Sequence, residues 1–169
     1  MSQHLFATLY DELHRLAEAQ VRRGGRDLTV SPTTVLHEAW LDFSTRRPVD
    51  FPDRARFLAY AARAMRAIVI DHVRRSLTQK RGAGSAPVTL RPDLAVDADS
   101  VEDLGRLSDA LDELATFEPT LAELVDLHFF CGYTFAEIGD LREVSERTVQ
   151  RDWRKARLLL HHALLDDRE

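Results

Sequence analysis

The chain has 169 residues, of which 44% are hydrophobic and 30% are charged, as expected of one globular domain or two small ones. No apolar run approaches the roughly 18 residues of a membrane-spanning helix, which predicts no membrane insertion. The single cysteine, Cys131, excludes an internal disulfide, and residues 1–7 lack a signal-peptide pattern, so we expect a cytoplasmic protein.

The net charge of -5 is unevenly distributed along the sequence. Residues 1–81 carry 14 basic and 9 acidic side chains, whereas residues 82–169 carry 9 basic and 19 acidic side chains. The first half is therefore basic and the second half strongly acidic. An acidic whole argues against broad non-specific binding of nucleic acid, but local basic faces can still bind DNA.

The first half of the chain has the apolar periodicity of α-helices. A leucine stripe predicts a first helix that ends at Gly24 and Gly25. Ser31 and Pro32 have the form of an N-cap followed by proline in the first turn of a second helix. A long third helix is predicted from Asp53 to Lys80. The three apolar stripes are Leu5, Leu9, Leu13 and Leu16; Leu36, Ala39, Trp40 and Phe43; and Phe57, Ala61, Ala64, Met65, Ile68 and Val69.

Residues 82–103 are rich in Gly, Pro, Ser and Asp and are interpreted as a flexible linker. Helical periodicity resumes near Val101, and strand-like alternation of useful length is absent from the sequence. The predicted fold is therefore all-α. It comprises two small helical domains, residues 1–81 and 104–169, joined by the linker.

The segment from Tyr133 to Arg157 predicts two short helices separated by a tight turn. With Ser145 as N-cap, the second helix has one apolar face and an opposite basic face. Such a helix-turn-helix places its second helix in the major groove, where Arg and Gln bind base edges. A solvated basic face on an ordinary helical hairpin is the alternative. The apolar face contains Val149, Trp153, Ala156 and Leu160; the basic face contains Arg147, Arg151 and Arg154, flanked by Gln150 and Lys155.

The sequence YTFAEIGDLREVSERTVQRDWRKARLLL resembles region 4 of bacterial extracytoplasmic-function (ECF) sigma factors. The resemblance implies recognition of the promoter −35 element. Glu143 stands in the turn where many family members have glycine, which requires strain or another turn shape. The positions implied in −35 binding are Ser145, Arg147, Thr148, Gln150, Arg151, Arg154 and Lys155.

The sequence FLAYAARAMRAIVIDHVRRS is similar to the region 2 helix of ECF sigma factors, which captures the melted −10 strand. Arg66 stands where many members have Asn. The resemblance covers about residues 3–81 and 104–165 and implies a sigma factor rather than an enzyme. The helix and the loop before it, Ser44 to Arg54, would bind the −10 element. The arginines implied in that role are Arg56, Arg63, Arg66, Arg74 and Arg75.

The sequence SPTTVLHEAWLDF resembles region 2.2, which docks on the β′ clamp of core RNA polymerase. Many members have acidic residues where this chain has Thr33 and Thr34, so we expect weaker docking unless phosphorylation restores the charge. Capping of the helix by both hydroxyls is the alternative. The resemblance implies the β′ clamp, the β flap and promoter DNA as partners. The regulator would be an anti-sigma factor or, under the phosphorylation hypothesis, a Ser/Thr kinase. The implied polymerase-binding residues are Val35, Leu36, Glu38, Trp40 and Leu41.

Two other functional classes are compatible with parts of the sequence. One is a free-standing helix-turn-helix regulator that binds duplex DNA without polymerase. The other is a helical metalloenzyme, for which His128 and Cys131 would be a first ligand pair. No second pair with suitable spacing accompanies them, so we expect no metal or other cofactor.

Overall fold

The computed structural model describes His4 and residues 7–25, 28–45, 51–79 and 101–166. Within these ranges lie seven α-helices and one π-helical turn, and none of the described residues is in a β-strand. The all-α prediction is confirmed for this part of the chain. In chain order the elements are α1 (Tyr10–Arg23), α2 (Pro32–Thr45), α3 (Arg54–Gln79), α4 (Val101–Phe117), α5 (Pro119–Val125), the π-turn (Asp126–Phe130), α6 (Phe135–Arg142) and α7 (Glu146–Asp166).

The starts of α2 and α3 follow from their capping residues. The backbone N–H of Thr34 donates to Ser31 Oγ at 3.1 Å, and Pro32 opens α2 as predicted. The backbone N–H of Arg56 donates to Asp53 Oδ1 at 2.8 Å, so Asp53 caps the long helix α3. These caps satisfy amides that the first helical turn leaves without an intrahelical acceptor.

The predicted linker lies mostly outside the described residues, which omit 80–100. Its last residues, 101–103, differ from the prediction because they already belong to α4. Helix α4 begins at Val101, so residues 101–103 form its first turn. The division into domains of residues 1–81 and 104–169 stays a prediction.

The periodicity after α4 is interrupted in two places. Pro119 opens α5 because proline lacks an amide hydrogen and is tolerated only in a first turn. In the π-turn the N–H of Cys131 donates to the carbonyl of Asp126 at 3.0 Å, five residues back. Gly132 then adopts a φ of +76°, which reverses the chain towards α6.

One hydrophobic core extends through both halves of the described chain. Helix α3 packs against α1 and α2 and also against α4 and the π-turn. Met65 of α3 and Leu111 of α4 are fully buried in that core. Burial of such side chains stabilises the fold by about 1.5–3 kcal/mol each. The packing therefore holds the arginine-rich side of α3 against the acidic second half.

Candidate nucleic-acid interface

Helix α6 begins with a reciprocal cap between Thr134 and Glu137. The N–H of Glu137 donates to Thr134 Oγ1 at 3.1 Å, and the N–H of Thr134 donates to Glu137 Oε1 at 3.4 Å. The second carboxylate oxygen of Glu137 accepts a hydrogen bond from Arg15 of α1 at 2.9 Å. The pKa of Glu137 is lowered because these donors outweigh its partial desolvation. The cap thus fixes α6 locally and ties it to the first half.

The turn between α6 and α7 is tight and uses a non-glycine residue in the left-handed region. Glu143 has φ 57° and ψ 41°, and the N–H of Val144 donates to the carbonyl of Gly139 at 2.9 Å. A Cβ atom on Gly139 would lie 2.8 Å from the carbonyl oxygen of Val144, so this close approach requires glycine. Glu143 thus adopts the left-handed conformation that costs a non-glycine residue strain, the first of the two alternatives expected from the sequence.

Ser145 caps α7 as predicted. Its Oγ accepts the N–H of Thr148 at 3.2 Å, and the two hydroxyls lie 2.9 Å apart. On the inner side of α7, Val149, Ala156 and Leu160 are buried in the core. The outer side is the α7 basic surface. Its exposed members are Arg147, Arg151, Arg154 and Lys155, with Gln150 and Thr148 half-buried at its edge.

An aromatic cluster fixes α7 relative to α6. The ring of His128 stacks on Phe135 with centroids 4.2 Å apart, and Trp153 meets His128 edge-on at 4.6 Å. His128 Nδ1 donates to the carbonyl of Tyr133 at 2.7 Å. The half-buried Trp153 thus belongs to the inner side of α7, as its spacing predicted. The aromatic contacts orient the basic surface without contributing charge to it.

A second cluster, called the α3 basic surface, consists of the α3 arginines assigned to the −10 element: Arg56, Arg63, Arg66, Arg74 and Arg75. Most of them face acidic side chains of the second half. Arg74 Nη2 lies 2.9 Å from Asp109 Oδ1 of α4. Arg56 donates to Glu123 of α5 at 3.3 Å, and Arg63 lies 3.7 Å from Asp112 of α4. Arg75 is exposed and has no ion pair among the described residues. These arginines are recognisable from the sequence, whereas their acidic partners are not.

The predicted accessibility of Arg66 is wrong, because its side chain is only 2% exposed. Its Nη1 donates to the carbonyl and hydroxyl of Ser108 at 3.0 and 2.6 Å. Its Nη2 donates to Asp112 at 3.0 Å, and its Nε lies 2.6 Å from Asp126 Oδ1. A buried guanidinium needs such partners, since desolvation without them would be prohibitive.

Asp126 lies at the first residue of the π-turn and is as buried as Arg66. Burial raises the pKa of Asp126 to about 6, against the opposing attraction of the Arg66 charge. The neighbouring Cys131 is also buried, and its Sγ lies 3.4 Å from Nε2 of Gln20 in α1. Burial raises the pKa of the Cys131 thiol, which makes the buried thiol unreactive. This cluster joins the two halves.

The residues assigned to polymerase docking divide between core and surface. Val35 and Leu36 are buried in the core, whereas Leu41 is 49% exposed. Trp40 is half-buried, and Glu38 lies 3.2 Å from His72 Nε2 of α3. Of the five assigned residues, Leu41, Trp40 and Glu38 can therefore contribute to a docking surface.

Thr33 and Thr34 are exposed in the first turn of α2, which contains no acidic residue. The Oγ1 of Thr34 lies 2.9 Å from Ser31 Oγ, so Thr34 takes part in the cap. The hydroxyl of Thr33 makes no hydrogen bond within the described residues. The capping alternative thus applies to Thr34 and not to Thr33.

Residues suited to metal binding are not brought together in the described part of the chain, where no group of three or more His, Cys, Asp or Glu side chains converges. His128 and Cys131 instead contact Tyr133 and Gln20. No helix in the described ranges is long and apolar enough to cross a membrane.

Comparison with known proteins identifies the family. No curated protein matches the chain, and no solved structure does. The family model described as ECF sigma factor matches residues 1–166, nearly the whole chain. This match agrees with the all-α fold and with a capped helix carrying an exposed basic surface behind a tight turn. The chain therefore belongs to the ECF sigma factor family and is a DNA-binding protein of transcription initiation.

Proposed function

We propose that this protein binds core RNA polymerase and directs initiation at promoters whose −10 and −35 elements it recognises. The observation that carries this proposal is the α7 basic surface, which is exposed and held by a capped, closely packed turn. The protein would act in the cytoplasm as a dissociable subunit rather than as an enzyme.

The α7 basic surface is proposed to lie in the major groove of the −35 element. Arg151 and Arg154 are exposed one turn apart and can reach base edges or phosphates. Gln150 and Lys155 flank them, with Lys155 held 3.0 Å from Glu118 in the free protein. The capped N-terminus of α7, with Ser145, Arg147 and Thr148, is suited to phosphate contacts.

The α3 basic surface is proposed to bind the melted −10 strand. Arg56, Arg63, Arg74 and Arg75 have exposed side chains, and Arg66 would join them only if its buried contacts opened. Extruding a base from the strand costs a few kcal/mol, which phosphate contacts from such arginines offset.

Helix α2 is proposed to dock on the β′ clamp through the exposed part of Trp40 and Leu41, with Glu38 as its acidic contact. Phosphorylation of Thr33 or Thr34 would add about -1.5 to -2 charges at a helix N-terminus that lacks acidic residues. Thr33 is the better candidate because its hydroxyl is exposed and outside the cap. A Ser/Thr kinase is the partner that this reading requires; an anti-sigma factor is the other regulator expected of the family.

Transcription from defined DNA tests the proposal directly. Purified protein and bacterial core polymerase would be supplied with fragmented genomic DNA, and transcript starts would be mapped. We expect starts that share upstream −10 and −35 sequences and that disappear with Arg151→Ala/Arg154→Ala. Absence of such starts, together with tight binding of duplex DNA by the protein alone, would instead indicate a regulator acting without polymerase.

The phosphorylation proposal has its own test in core binding. The Thr33→Glu/Thr34→Glu protein is expected to bind core polymerase more tightly than wild type. The Thr33→Gln/Thr34→Gln protein is the matched control, because glutamine has the same size without the charge. Equal binding by all three proteins would remove the phosphorylation proposal and leave the sigma-factor assignment unchanged.

A further inference from the structure

Four of the five arginines of the α3 basic surface face acidic residues of the second half. Asp109 and Asp112 lie three residues apart on α4, so they share one face of that helix. Arg74 binds Asp109, whereas Arg63 and Arg66 both meet Asp112. The ion pairs therefore follow one another along the lengths of α3 and α4.

The same surface continues beyond α4 onto α5 and the π-turn. Arg56 binds Glu123 in α5, and Arg66 approaches Asp126 in the π-turn to 2.6 Å. Arg74 also donates to the carbonyl of Gly105 at 3.3 Å, where an added Cβ would come within 3.4 Å of its Nε. Four acidic side chains from three consecutive elements thus oppose four arginines of one helix.

The charge of the whole chain is distributed to favour this arrangement. Residues 1–81 have 14 basic against 9 acidic side chains, and residues 82–169 have 9 against 19. Attraction between the halves is therefore a property of the sequence as well as of the individual pairs. In this arrangement the phosphates of a DNA strand would have to displace carboxylates from Arg56, Arg63 and Arg74, and could not reach Arg66 at all.

We propose that the free protein is closed in this way, with the second half acting as an acidic competitor that occupies the α3 basic surface and excludes single-stranded DNA from it. The proposal rests on the proposed −10 function of α3. Closure and DNA binding at α3 then exclude each other, so each weakens the other by the same factor. The α7 basic surface stays accessible in the closed state.

Cys131 is a built-in probe of the closed state. It is the only cysteine of the chain, it is 3% exposed, and Gln20 of the first half covers its Sγ. The π-turn that precedes it packs against α1 and α3, so separation of the halves removes this cover. The rate at which an aromatic disulfide reagent modifies the thiol then reports the open fraction.

The test variant is Asp109→Arg/Asp112→Arg, which replaces the attraction by repulsion on α4. Because Asp112 also binds the buried Arg66, the variant Asp109→Arg alone is measured beside it and changes only the exposed pair with Arg74. The control variant, Glu113→Arg/Asp166→Arg, changes the net charge equally. Neither of its side chains forms an ion pair within the described residues. A further variant, Asp109→Arg with Arg74→Asp, exchanges the partners of this one pair and should restore the protection of the thiol that Asp109→Arg alone loses.

We expect thiol modification of the test variant to be about tenfold faster than in wild type, the factor that corresponds to 1.4 kcal/mol. Its affinity for a labelled single-stranded oligonucleotide of mixed sequence should rise by a similar factor, and both changes should exceed those of the control variant. Added oligonucleotide should also accelerate thiol modification of the wild-type protein. Circular dichroism would verify that every variant is folded.

Two results would overturn the proposal in different ways. Equal thiol rates in wild type, test and control variants would mean that the acidic residues do not hold the halves together. Faster thiol modification without tighter DNA binding would retain the ionic closure but reject α3 as the DNA-binding surface, and the occlusion with it. Transcription that starts at shared −35 sequences would still support the sigma-factor assignment in either case.

Discussion

The basic surfaces of α7 and α3 have similar side chains and opposite surroundings. On α7, Arg147, Arg151 and Arg154 are exposed and form no ion pair within the described part of the chain. On α3, Arg63 and Arg74 each lie within 4 Å of a carboxylate. Arg66 is buried and contacts two carboxylates, the exposed Asp112 and the buried Asp126. The difference does not arise from the helices themselves, since both combine an apolar side with an arginine side.

This contrast separates a surface ready for duplex DNA from one that requires rearrangement. Exposed pairs such as Arg74–Asp109 contribute little stability, typically about 0.2–1 kcal/mol each. The buried Arg66 cluster is different, because its charges have lost their hydration and depend on one another. We therefore expect the exposed pairs to tune closure and the buried cluster to dominate its stability.

Arg66→Ala is expected to have the largest effect. It leaves Asp126 buried without its partner and removes the bonds to Ser108, so the free energy of unfolding should fall by about 3–5 kcal/mol. Urea denaturation followed by circular dichroism would measure this change. Arg63→Ala is the matched control on the same helix, with an expected loss below about 1 kcal/mol because Arg63 is exposed. Equal losses for both variants would contradict a special role for the buried cluster.

On α7, a substitution should affect DNA rather than folding. Arg151→Ala and Arg154→Ala are each expected to weaken binding of the polymerase complex to −35 duplex DNA by about 1–3 kcal/mol. Their unfolding free energies should remain within about 0.5 kcal/mol of wild type, since both side chains are exposed. Fluorescence anisotropy with a −35 duplex measures the first effect. Arg22→Ala, an exposed arginine on α1, is the control for general loss of charge.

The raised pKa of Asp126 predicts that the free energy of unfolding depends on pH. Its pKa is about 6 in the folded protein against an ordinary value of 3.8, so the folded state takes up a proton first as the pH falls. The stabilising contribution of Asp126 to the free energy of unfolding is therefore fully present below pH 3.8 and is lost as the pH rises through 6. When the pH falls from 7 to 5, the free energy of unfolding of the wild-type protein should rise by about 1 kcal/mol relative to that of Asp126→Asn. Parallel stability profiles for the two proteins would show that Asp126 does not titrate in this range.

The sequence was informative where function follows from local periodicity. Ser145, Val149 and Ala156 define the cap and inner side of α7 because a helix repeats every 3.6 residues. The same reasoning placed Arg66 on a solvent-facing side, and there it failed. A helical repeat gives the angle of a side chain around its own helix, but it cannot tell which other helix covers that angle.

Some signals of the missed contacts were nevertheless present in the sequence. The opposite charges of the two halves indicated mutual attraction, and Asp109 and Asp112 had the spacing of one helical face. Pairing them with Arg74 and Arg63 required the long-range packing of α3 on α4, which no local pattern encodes. The π-turn that positions Asp126 was also beyond reach, because it depends on hydrogen bonds to the fifth residue.

The smallest expected effect concerns the turn that orients α7. Glu143→Gly should raise the free energy of unfolding by about 0.5–1 kcal/mol, because glycine adopts the left-handed conformation of φ 57° without a Cβ penalty. Thermal denaturation would measure the gain. Glu146→Gly, three residues later in the first turn of α7, should instead lose stability, since glycine is a poor helix former. Affinity of the polymerase complex for −35 DNA should stay unchanged with Glu143→Gly, because the arginines of α7 keep their exposure and orientation. Weaker DNA binding by this variant would assign Glu143 itself to the DNA interface and extend the α7 surface into the turn.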